Sequence, residues 1–327
     1  MKIYRNLEDF IPLDNAVVTI GTFDGVHVGH QKILSTLRES AKACKGETVL
    51  LTFFPHPRLI LHPEDDSLRI ISDFDEKVHR LADAGIDHLI ITPFTRDFSN
   101  LSPEEYIREV LIGKIGTKKI VIGYDHRFGK DRTGSLKDLL DYADIYGYSV
   151  EQIPEQDIND VAVSSTKIRE ALIKGDIDTA NTYLGYPFQL TGKVIRGDQL
   201  GRRIGYPTAN LLVQESHKLI PAYGIYAVET AIIEPAHIET GPYIAHPPEH
   251  VIYGMGYIGT RPTVDGVGRS IEVHLFDFNS DIYGKTIRVK FLDFIRHDRW
   301  FESMEELIQQ MKMDEQQVLA FFDRTSG

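Results

Sequence analysis

The chain has 327 residues, of which 42% are hydrophobic and 26% are charged, and its formal net charge is −12 at pH 7. No stretch approaches the roughly 20 apolar residues of a membrane helix, and the first residues mix charged with apolar side chains, so we predict a cytoplasmic protein that contacts no membrane. The acidic balance disfavours nucleic acid as a partner, and the single cysteine, Cys44, excludes an intrachain disulfide and a multi-cysteine metal site. The length allows two domains with separate cores and leaves the oligomeric state open.

Residues 1–183 alternate between strand-like apolar runs and helix-like amphipathic stretches. Nearly unbroken runs of valine, isoleucine and leucine are typical of parallel strands that are covered on both faces. One helix start is marked by Ser102, which can cap, followed by Pro103 and Glu105. We therefore predict a doubly wound, Rossmann-like α/β domain, with strands at 17–20, 48–54, 88–94, 118–123 and 148–154 and helices at 27–44, 75–85, 102–113 and 135–147.

Residues 184–327 show a different pattern, in which strand-like segments follow one another without an amphipathic helix between them. Their β-branched and aromatic content predicts a small antiparallel barrel, with a hairpin turn at 283–285. The proline-rich segment 234–250 is predicted to be a loop. The predicted strands are 188–195, 224–233, 251–259, 269–278 and 285–295, and the closing helices are 303–312 and 314–322, capped by Ser303 and Asp314.

The stretch GTFDGVHVGH, residues 21–30, follows the first predicted strand and opens the first predicted helix. Ligands of doubly wound sheets collect at the carboxyl ends of strands, where glycines let backbone N–H groups approach an anion. His27 and His30 are three residues apart, so they share one face of a helix that begins near residue 27. Such a pair suits charge that builds up on a phosphate during phosphoryl or nucleotidyl transfer. A hydrogen-bonded structural pair, or two zinc ligands with His56 as a third, are the alternatives.

A second candidate stretch is SSTKIRE, residues 164–170, at a predicted helix start. Ser164, Ser165 and Thr166 supply hydroxyls and free backbone N–H groups, and Arg169 adds a guanidinium. The same residues are also typical of an ordinary N-cap that is followed by solvated charges. Because the stretch lies in the same α/β half as the histidine pair, we interpret it as the other side of one nucleotide site.

Several stretches of the chain resemble the bacterial bifunctional riboflavin kinase/FAD synthetases. GTFDGVHVGHQKIL (21–34), TFFPHP (52–57), GYDHRFGKDRTGS (123–135) and SSTKIR (164–169) look like the nucleotidyltransferase module of that family. YLGYPFQLTGKVIRGDQLGRRIGYPTANL (183–211), IGTRPTVDG (258–266) and IEVHLFDF (271–278) look like its riboflavin kinase module. The resemblance spans nearly the whole chain. It implies an α/β FMN adenylyltransferase domain at 1–183, then a β-barrel riboflavin kinase domain with C-terminal helices at 184–327.

The resemblance implies that ATP phosphorylates riboflavin to FMN in the second half, and that FMN attacks another ATP in the first half to give FAD and pyrophosphate. In the first half it implies that His27 and His30 act on the nucleotide phosphates. The implied nucleotide-binding residues are Gly21, Phe23, Asp24, Gly25, Asp125, Ser164, Ser165, Thr166 and Arg169, and the implied flavin-binding residues are Pro55, His56 and Pro57.

For the kinase, the resemblance implies that Glu272 is the general base that accepts the proton of the ribityl hydroxyl. Periodicity alone makes Glu272 an ordinary outward-facing strand residue, because Ile271 and Val273 occupy the opposite face. Thr208 and Asn210 match the family's magnesium ligands, and hard oxygen ligands suit an ion that bridges ATP phosphates. The implied phosphate-binding residues are Gly197, Gly201, Gly205 and Pro207, with Arg196, Arg202 and Arg203 adding positive charge.

Three features depart from the family pattern. His126 stands where phenylalanine is usual, which is predicted to weaken flavin contact or to make it depend on pH near neutrality. Tyr257 replaces the usual asparagine, and the segment 234–250 is longer than usual.

The alternative functions are a regulator that binds ligand without turnover and a single-activity adenylyltransferase whose barrel only binds flavin or a partner. GMGYIG, residues 254–259, matches a dinucleotide fingerprint, but the residues that follow it cannot open a helix.

Overall fold

In a computed structural model of the chain, residues 1–65, 67–154, 163–197, 201, 204–234, 238–244, 250–263 and 266–325 are described. They belong to two compact units. The first consists of Met1–Ser165 with His237–Ala245, and the second consists of Thr166–Ala236 with His246–Gly327. In these described ranges, every helix is too short or too polar to cross a membrane.

The first unit is built on a seven-stranded, mostly parallel sheet. Its strands are β1 Lys2–Tyr4, β2 Ala16–Ile20, β3 Glu47–Phe53, β4 His88–Thr92, β5 Thr117–Gly123, β6 Ser149–Ile153 and β10 Gly241–Pro242. They lie in the order β10-β1-β4-β3-β2-β5-β6, and every neighbouring pair except β10 and β1 is parallel. From β2 the chain passes to β3 and β4, and it then returns to the other side of β2 for β5 and β6. The strand order therefore reverses beside β2, which confirms the predicted doubly wound fold.

Helices cover both faces of this sheet. Val17 of β2 belongs to one core cluster with Leu34 and Leu81, whereas its neighbour Val18 belongs to another with Ile107, because successive strand residues face opposite sides. The helices are α1 Val28–Cys44, α2 Pro57–Leu61, α3 Phe74–Asp83, α4 Arg96–Ser99, α5 Pro103–Glu105, α6 Leu136–Asp141 and α7 Ala143–Tyr146, with a π-helix at Tyr106–Ile115 and 3₁₀ turns at Leu7–Asp9 and Lys130–Arg132. The predicted cap at Ser102 is confirmed by a reciprocal capping box with Glu105.

A short piece of the predicted loop 234–250 adds the edge strand β10 to this sheet. Gly241–Pro242 pairs antiparallel with β1. Tyr243 extends the contact, since its N–H donates to the carbonyl of Met1 at 2.9 Å and its hydroxyl lies 2.7 Å from His79 Nδ1. The loop prediction is wrong for these residues, because pairing to an open sheet edge uses backbone groups and needs no hydrophobic pattern.

The second unit contains a closed barrel of six antiparallel strands, which confirms the predicted barrel. Its strands are β7 Gln189–Ile195, β8 Ala209–Leu212, β9 Gly224–Ile233, β11 Val251–Thr263, β12 Gly266–Leu275 and β13 Thr286–His297, in the order β11-β12-β8-β7-β13-β9. The helices before the barrel are α8 Ser165–Lys174 and α9 Ile177–Leu184. The predicted hairpin at 283–285 is wrong, because β12 and β13 are not neighbours and β13 pairs with β7 and β9 instead.

One continuous helix, α10 Met304–Thr325, follows the barrel where two helices are predicted. Ser303 caps it as expected, with its hydroxyl accepting the N–H of Glu306 at 3.2 Å. Asp314 is fully buried, and its carboxylate accepts hydrogen bonds from the side chains of Arg296 and Gln310. The predicted helix start at Asp314 is therefore wrong, because tertiary partners occupy the carboxylate that would cap it.

Candidate active sites

The first candidate site lies at the carboxyl end of β2, where the strand order of the sheet reverses. His27 is the N-cap residue of α1, and its Nδ1 accepts the N–H of His30 at 3.4 Å. The two imidazole rings are stacked, with their centroids 3.7 Å apart and their planes 18° apart. As their spacing predicts, the rings share one face of the first helical turn, at the positive end of the helix dipole.

A buried cation, Lys77 of α3, lies near this histidine pair. Its Nζ donates to the carbonyl oxygens of Thr22 and Phe53 at 3.4 and 3.5 Å, which ties together the ends of β2 and β3. Burial lowers the pKa of Lys77 to about 8. Burial also holds the pKa of His30 well below its ordinary value, and the charges of His27 and Lys77 act in the same direction. The His30 ring is therefore neutral at pH 7.

The buried side chain of Asp24 anchors the turn after β2 to residues 71 and 72. Its buried carboxylate accepts the N–H groups of Ile71 at 2.9 Å and Ser72 at 3.1 Å. Phe23 and Gly25 have positive φ values of 47° and 82°, a conformation that glycine adopts freely and phenylalanine does not. Nucleotide contact remains a prediction for Gly21, Phe23, Asp24 and Gly25.

The SSTKIR stretch begins α8, and one of its hydroxyls reaches the turn after β2. Ser165 Oγ donates to the carbonyl oxygen of Asp24 at 3.2 Å, which links the two stretches that are predicted to form one nucleotide site. Ser164 and Thr166 are exposed, and Arg169 is half-buried. Thr166 and Arg169 belong to the second compact unit, and their contact with a nucleotide stays a prediction.

Two further predicted ligand-binding stretches follow β3 and β5, the neighbours of β2. After β3, His56 caps α2 by accepting the N–H of Arg58 at 3.2 Å, and Pro57 opens that helix. After β5, Asp125 is exposed, whereas His126 is half-buried and its Nε2 atom has no hydrogen-bond partner in the described chain. Burial lowers the pKa of His126 to about 4, although Asp125 opposes that shift. The ring is therefore neutral near pH 7, which moves the expected pH dependence to acidic pH.

The second candidate site lies in the barrel, where Glu272 of β12 stands directly opposite Asn210 of β8. The Glu272 carboxylate accepts hydrogen bonds from Thr208 Oγ1 at 2.8 Å and from Ser270 Oγ at 2.9 Å. Three oxygen-bearing side chains, those of Thr208, Asn210 and Glu272, therefore meet on one part of the barrel wall. Glu272 is held by partners, unlike an ordinary outward-facing strand residue.

Three glycines precede β8, and two of them pack closely against residues 206–210. A Cβ atom at Gly197 would lie 2.5 Å from Asn210 Nδ2, and one at Gly201 would collide with the carbonyl oxygen of Tyr206. Gly205 has a φ of +89°, which favours glycine. The fold alone therefore favours glycine at 201 and 205, whereas a side chain at 197 would have to displace the Asn210 amide. Phosphate binding remains a prediction for Gly197, Gly201, Gly205 and Pro207, and Arg202 and Arg203 lie outside the described residues.

A cavity of about 360 Å³ opens beside Glu272. Binding sites for small molecules have volumes of roughly 300–1,000 Å³, so the cavity suits one such ligand. Arg296 also lines it, and its guanidinium donates to both carboxylate oxygens of Asp314, from Nε at 2.8 Å and from Nη2 at 2.7 Å. The lining mixes polar with apolar side chains and includes Thr208, Tyr257, Asp298, Met255, Leu307 and Met311.

The sequence matches two family models, one in each half. The model described as FAD synthetase covers residues 11–167, and the model described as riboflavin kinase covers residues 184–322. The bifunctional riboflavin kinase/FMN adenylyltransferase of Listeria monocytogenes is 36% identical over 309 residues, which are 94% of this chain and 93% of that protein. The protein of the same description from Escherichia coli K12 is 34% identical over 327 residues, which are 99% of each chain. The chain belongs to the bifunctional riboflavin kinase/FMN adenylyltransferase family.

A solved structure also resembles this family member. It is the crystal structure described as a macrolide-efflux protein from Streptococcus pneumoniae, with a TM-score of 0.83 and 32% sequence identity. The match covers 96% of this chain and 97% of that one.

Sequence reasoning missed three charged residues near the two sites of this riboflavin kinase/FMN adenylyltransferase family member. Lys77 lies on the buried face of α3, and a lysine among the apolar positions of an amphipathic helix is the signal that could have revealed it. Asp298 and Asp314 have no comparable signal. Their partners, Tyr257 and Arg296, lie 41 and 18 residues away in the chain, so only the fold brings them together.

Proposed function

We propose that the chain carries out two successive reactions, phosphorylating riboflavin with ATP in the barrel and adenylylating the resulting FMN with a second ATP in the α/β unit. Family membership and the two family models support both reactions. The observation that carries the proposal is that each unit gathers its own reactive groups, the stacked His27 and His30 rings in one and Glu272 with Thr208 in the other. Both reactions move phosphorus between oxygens, so catalysis depends on positioning and charge stabilisation.

In the kinase reaction, Glu272 accepts the proton of the terminal ribityl hydroxyl while that oxygen attacks the γ-phosphorus of ATP and ADP leaves. Hydrogen bonds from Thr208 and Ser270 hold the carboxylate in one orientation beside the cavity. The cavity takes the flavin, and Gly197, Gly201, Gly205 and Pro207 approach the phosphates of ATP.

Magnesium is part of this proposal, and the residues beside Glu272 fit it. The hydroxyl of Thr208 and the amide oxygen of Asn210 are hard donors, and both residues lie beside Glu272, Thr208 through a hydrogen bond and Asn210 as its cross-strand partner. Within the described residues, no three His, Cys, Asp or Glu side chains gather into a metal site. The ion would therefore take its other ligands from ATP and water, as Mg²⁺ commonly does, and its charge would offset that of the phosphates.

In the adenylyltransferase reaction, His27 and His30 bind the phosphates of ATP at the N-terminus of α1, where the helix dipole favours negative charge. A neutral His30 donates a hydrogen bond from one ring nitrogen and accepts one at the other. The phosphate oxygen of FMN attacks the α-phosphorus, and pyrophosphate leaves. The remaining roles are assigned to Ser164, Ser165, Thr166 and Arg169 for the nucleotide, and to Asp125, Pro55, His56 and Pro57 for adenylate and flavin.

The catalytic modules are proposed to divide at 183/184, and the limits of the two family models support this boundary. Small molecules are the proposed partners, because a net charge of −12 disfavours nucleic acid. A cytoplasmic location completes the proposal, since ATP is supplied there and a lone cysteine suits a reducing compartment.

A time course of flavins, separated by chromatography, tests the proposal with purified protein, riboflavin, ATP and magnesium. We expect FMN and then FAD to accumulate. His27→Ala combined with His30→Ala should stop the reaction at FMN, whereas Glu272→Gln should make no FMN but still convert supplied FMN to FAD. Normal FAD formation by the histidine variant would contradict the first site. If the barrel only bound flavin or a partner, the protein would convert supplied FMN to FAD but would leave riboflavin unchanged, and this result would support the single-activity alternative.

A further inference from the structure

Tyr257 of β11 stands between two carboxylates on the wall of the barrel cavity. It lies directly opposite Glu272 in the pairing of β11 with β12. Its hydroxyl donates to Asp298 Oδ2 at 3.2 Å, and both residues line the cavity. The phenol extends along its own strand over Gly259, where any Cβ atom would collide with the phenolic oxygen. Glycine at 259 therefore leaves the space that this phenol occupies.

The two members of this pair offer complementary hydrogen-bonding groups. Burial raises the pKa of Tyr257, and the nearby carboxylates of Asp298 and Glu272 act in the same direction. The phenol therefore keeps its proton throughout the neutral range, so it can donate one hydrogen bond and accept others. An ionised Asp298 only accepts. A ligand hydroxyl can therefore insert between the two, accepting the proton that the phenol now donates to Asp298 and donating its own proton to the Asp298 carboxylate.

Two other polar groups of the cavity are held by partners that serve other purposes. Thr208 donates to Glu272, and the guanidinium of Arg296 is held by Asp314. These contacts serve the general base and the packing of α10 against β13. The pair of Tyr257 and Asp298, in contrast, has no assigned part in phosphoryl transfer, although it faces the same cavity.

We propose that Tyr257 and Asp298 recognise the secondary hydroxyls of the ribityl chain and thereby select flavins that carry a polyhydroxylated side chain. The proposal rests on the proposed function, which places the terminal ribityl hydroxyl at Glu272. Because Tyr257 is the cross-strand neighbour of Glu272, the adjoining hydroxyls lie within reach of its phenol. The apolar side chains of the lining, such as Met255 and Met311, are left for the flavin ring. Tyr257 is thus a specificity-determining residue.

The test compares riboflavin with a flavin that carries a 5-hydroxypentyl chain, which keeps the terminal hydroxyl and lacks the secondary ones. Tyr257→Phe removes only the phenolic oxygen. We expect it to raise KM for riboflavin about 3- to 30-fold with kcat nearly unchanged, the range for losing one or two hydrogen bonds. For the 5-hydroxypentyl flavin, Tyr257→Phe should change KM less than about twofold, because this flavin lacks the secondary hydroxyls that the phenol would bond.

A binding measurement separates recognition from turnover. Trp300 is the only tryptophan of the chain, is 81% exposed, and lies between Arg299 and Phe301, which both line the cavity. Quenching of its emission by each flavin gives the Kd, which should follow KM. Tyr253→Phe is the matched control on the same strand, since its ring stacks on Phe322 and does not line the cavity, and it should behave as wild type.

Equal rises in KM and Kd for both flavins would overturn the proposal, because the phenol would then act on cavity shape alone. An unchanged KM for riboflavin, or a loss confined to kcat, would overturn it as well. These results leave the proposed function intact as long as wild type phosphorylates riboflavin and Glu272→Gln does not. A wild-type protein without kinase activity would contradict the proposed function itself.

Discussion

Asp314→Asn is expected to damage the kinase half of the chain and to spare the adenylyltransferase half. The Asp314 carboxylate is fully buried and accepts three hydrogen bonds, two from Arg296 at 2.8 and 2.7 Å and one from Gln310 at 2.7 Å. In the variant, the guanidinium loses its counter-charge and an amide NH₂ group faces other donors. Breaking one partner of a buried ion pair costs about 3–5 kcal/mol.

The lower end of that range applies here, because 20% of the Arg296 side chain remains exposed to water. A loss of about 3 kcal/mol is a large share of the roughly 5–15 kcal/mol that stabilises a domain. With a urea m-value of about 2 kcal/mol/M, it lowers the unfolding midpoint of the barrel by about 1.5 M.

Urea unfolding of the full chain, followed by hydrogen–deuterium exchange of peptides from strands β7, β9 and β13, measures this midpoint in the barrel. Riboflavin phosphorylation should fall at least about tenfold, since Arg296 lines the cavity, and FMN adenylylation in the same sample should stay within about twofold. Asp323→Asn is the matched control, an exposed aspartate on the same helix. A midpoint within about 0.3 M of wild type would refute the reasoning.

Two further predictions concern the α/β unit. The pKa of His126 is about 4 in the folded chain against the ordinary 6.5, so the unfolded chain binds a proton that the folded chain does not, and stability is lost as the pH falls from 6.5 toward 4. In His126→Phe, the free energy of unfolding should fall by roughly 3 kcal/mol less over this pH range than in wild type. Urea unfolding at several pH values measures it, and the same pH dependence in both proteins would contradict the prediction. Lys77→Met removes a positive charge that lowers the pKa of His30, so an NMR titration should find that pKa raised. In the same variant, FMN adenylylation should slow about tenfold and riboflavin phosphorylation should stay unchanged. An unmoved His30 pKa would exclude this coupling.

The parts of the fold that follow from local patterns could be predicted from the sequence. The alternation of apolar runs with amphipathic helices predicts the doubly wound sheet, and the HVGH spacing predicts that His27 and His30 share a helical face. Both depend on residues close together in the chain. The antiparallel barrel follows in the same way from five strand-like segments without helices between them.

The parts that depend on distant partners could not be predicted. Asp314 resembles a helix cap in the sequence, but Arg296 occupies its carboxylate and the helix continues. Gly241–Pro242 carries no strand pattern, because it joins the sheet through backbone pairing alone. Tyr257 is visible in the sequence as a departure from the family, yet its link to Asp298 appears only once β11 and the end of β13 are placed.

Isotope labelling tests most directly the claim that one chain attacks ATP at two different phosphorus atoms. Starting from riboflavin, ATP labelled at the γ-phosphorus should label FMN and, through it, FAD. ATP labelled at the α-phosphorus should leave FMN unlabelled and label FAD. FAD formed from riboflavin without γ-label, or a flavin pool that never acquires α-label, would contradict the account.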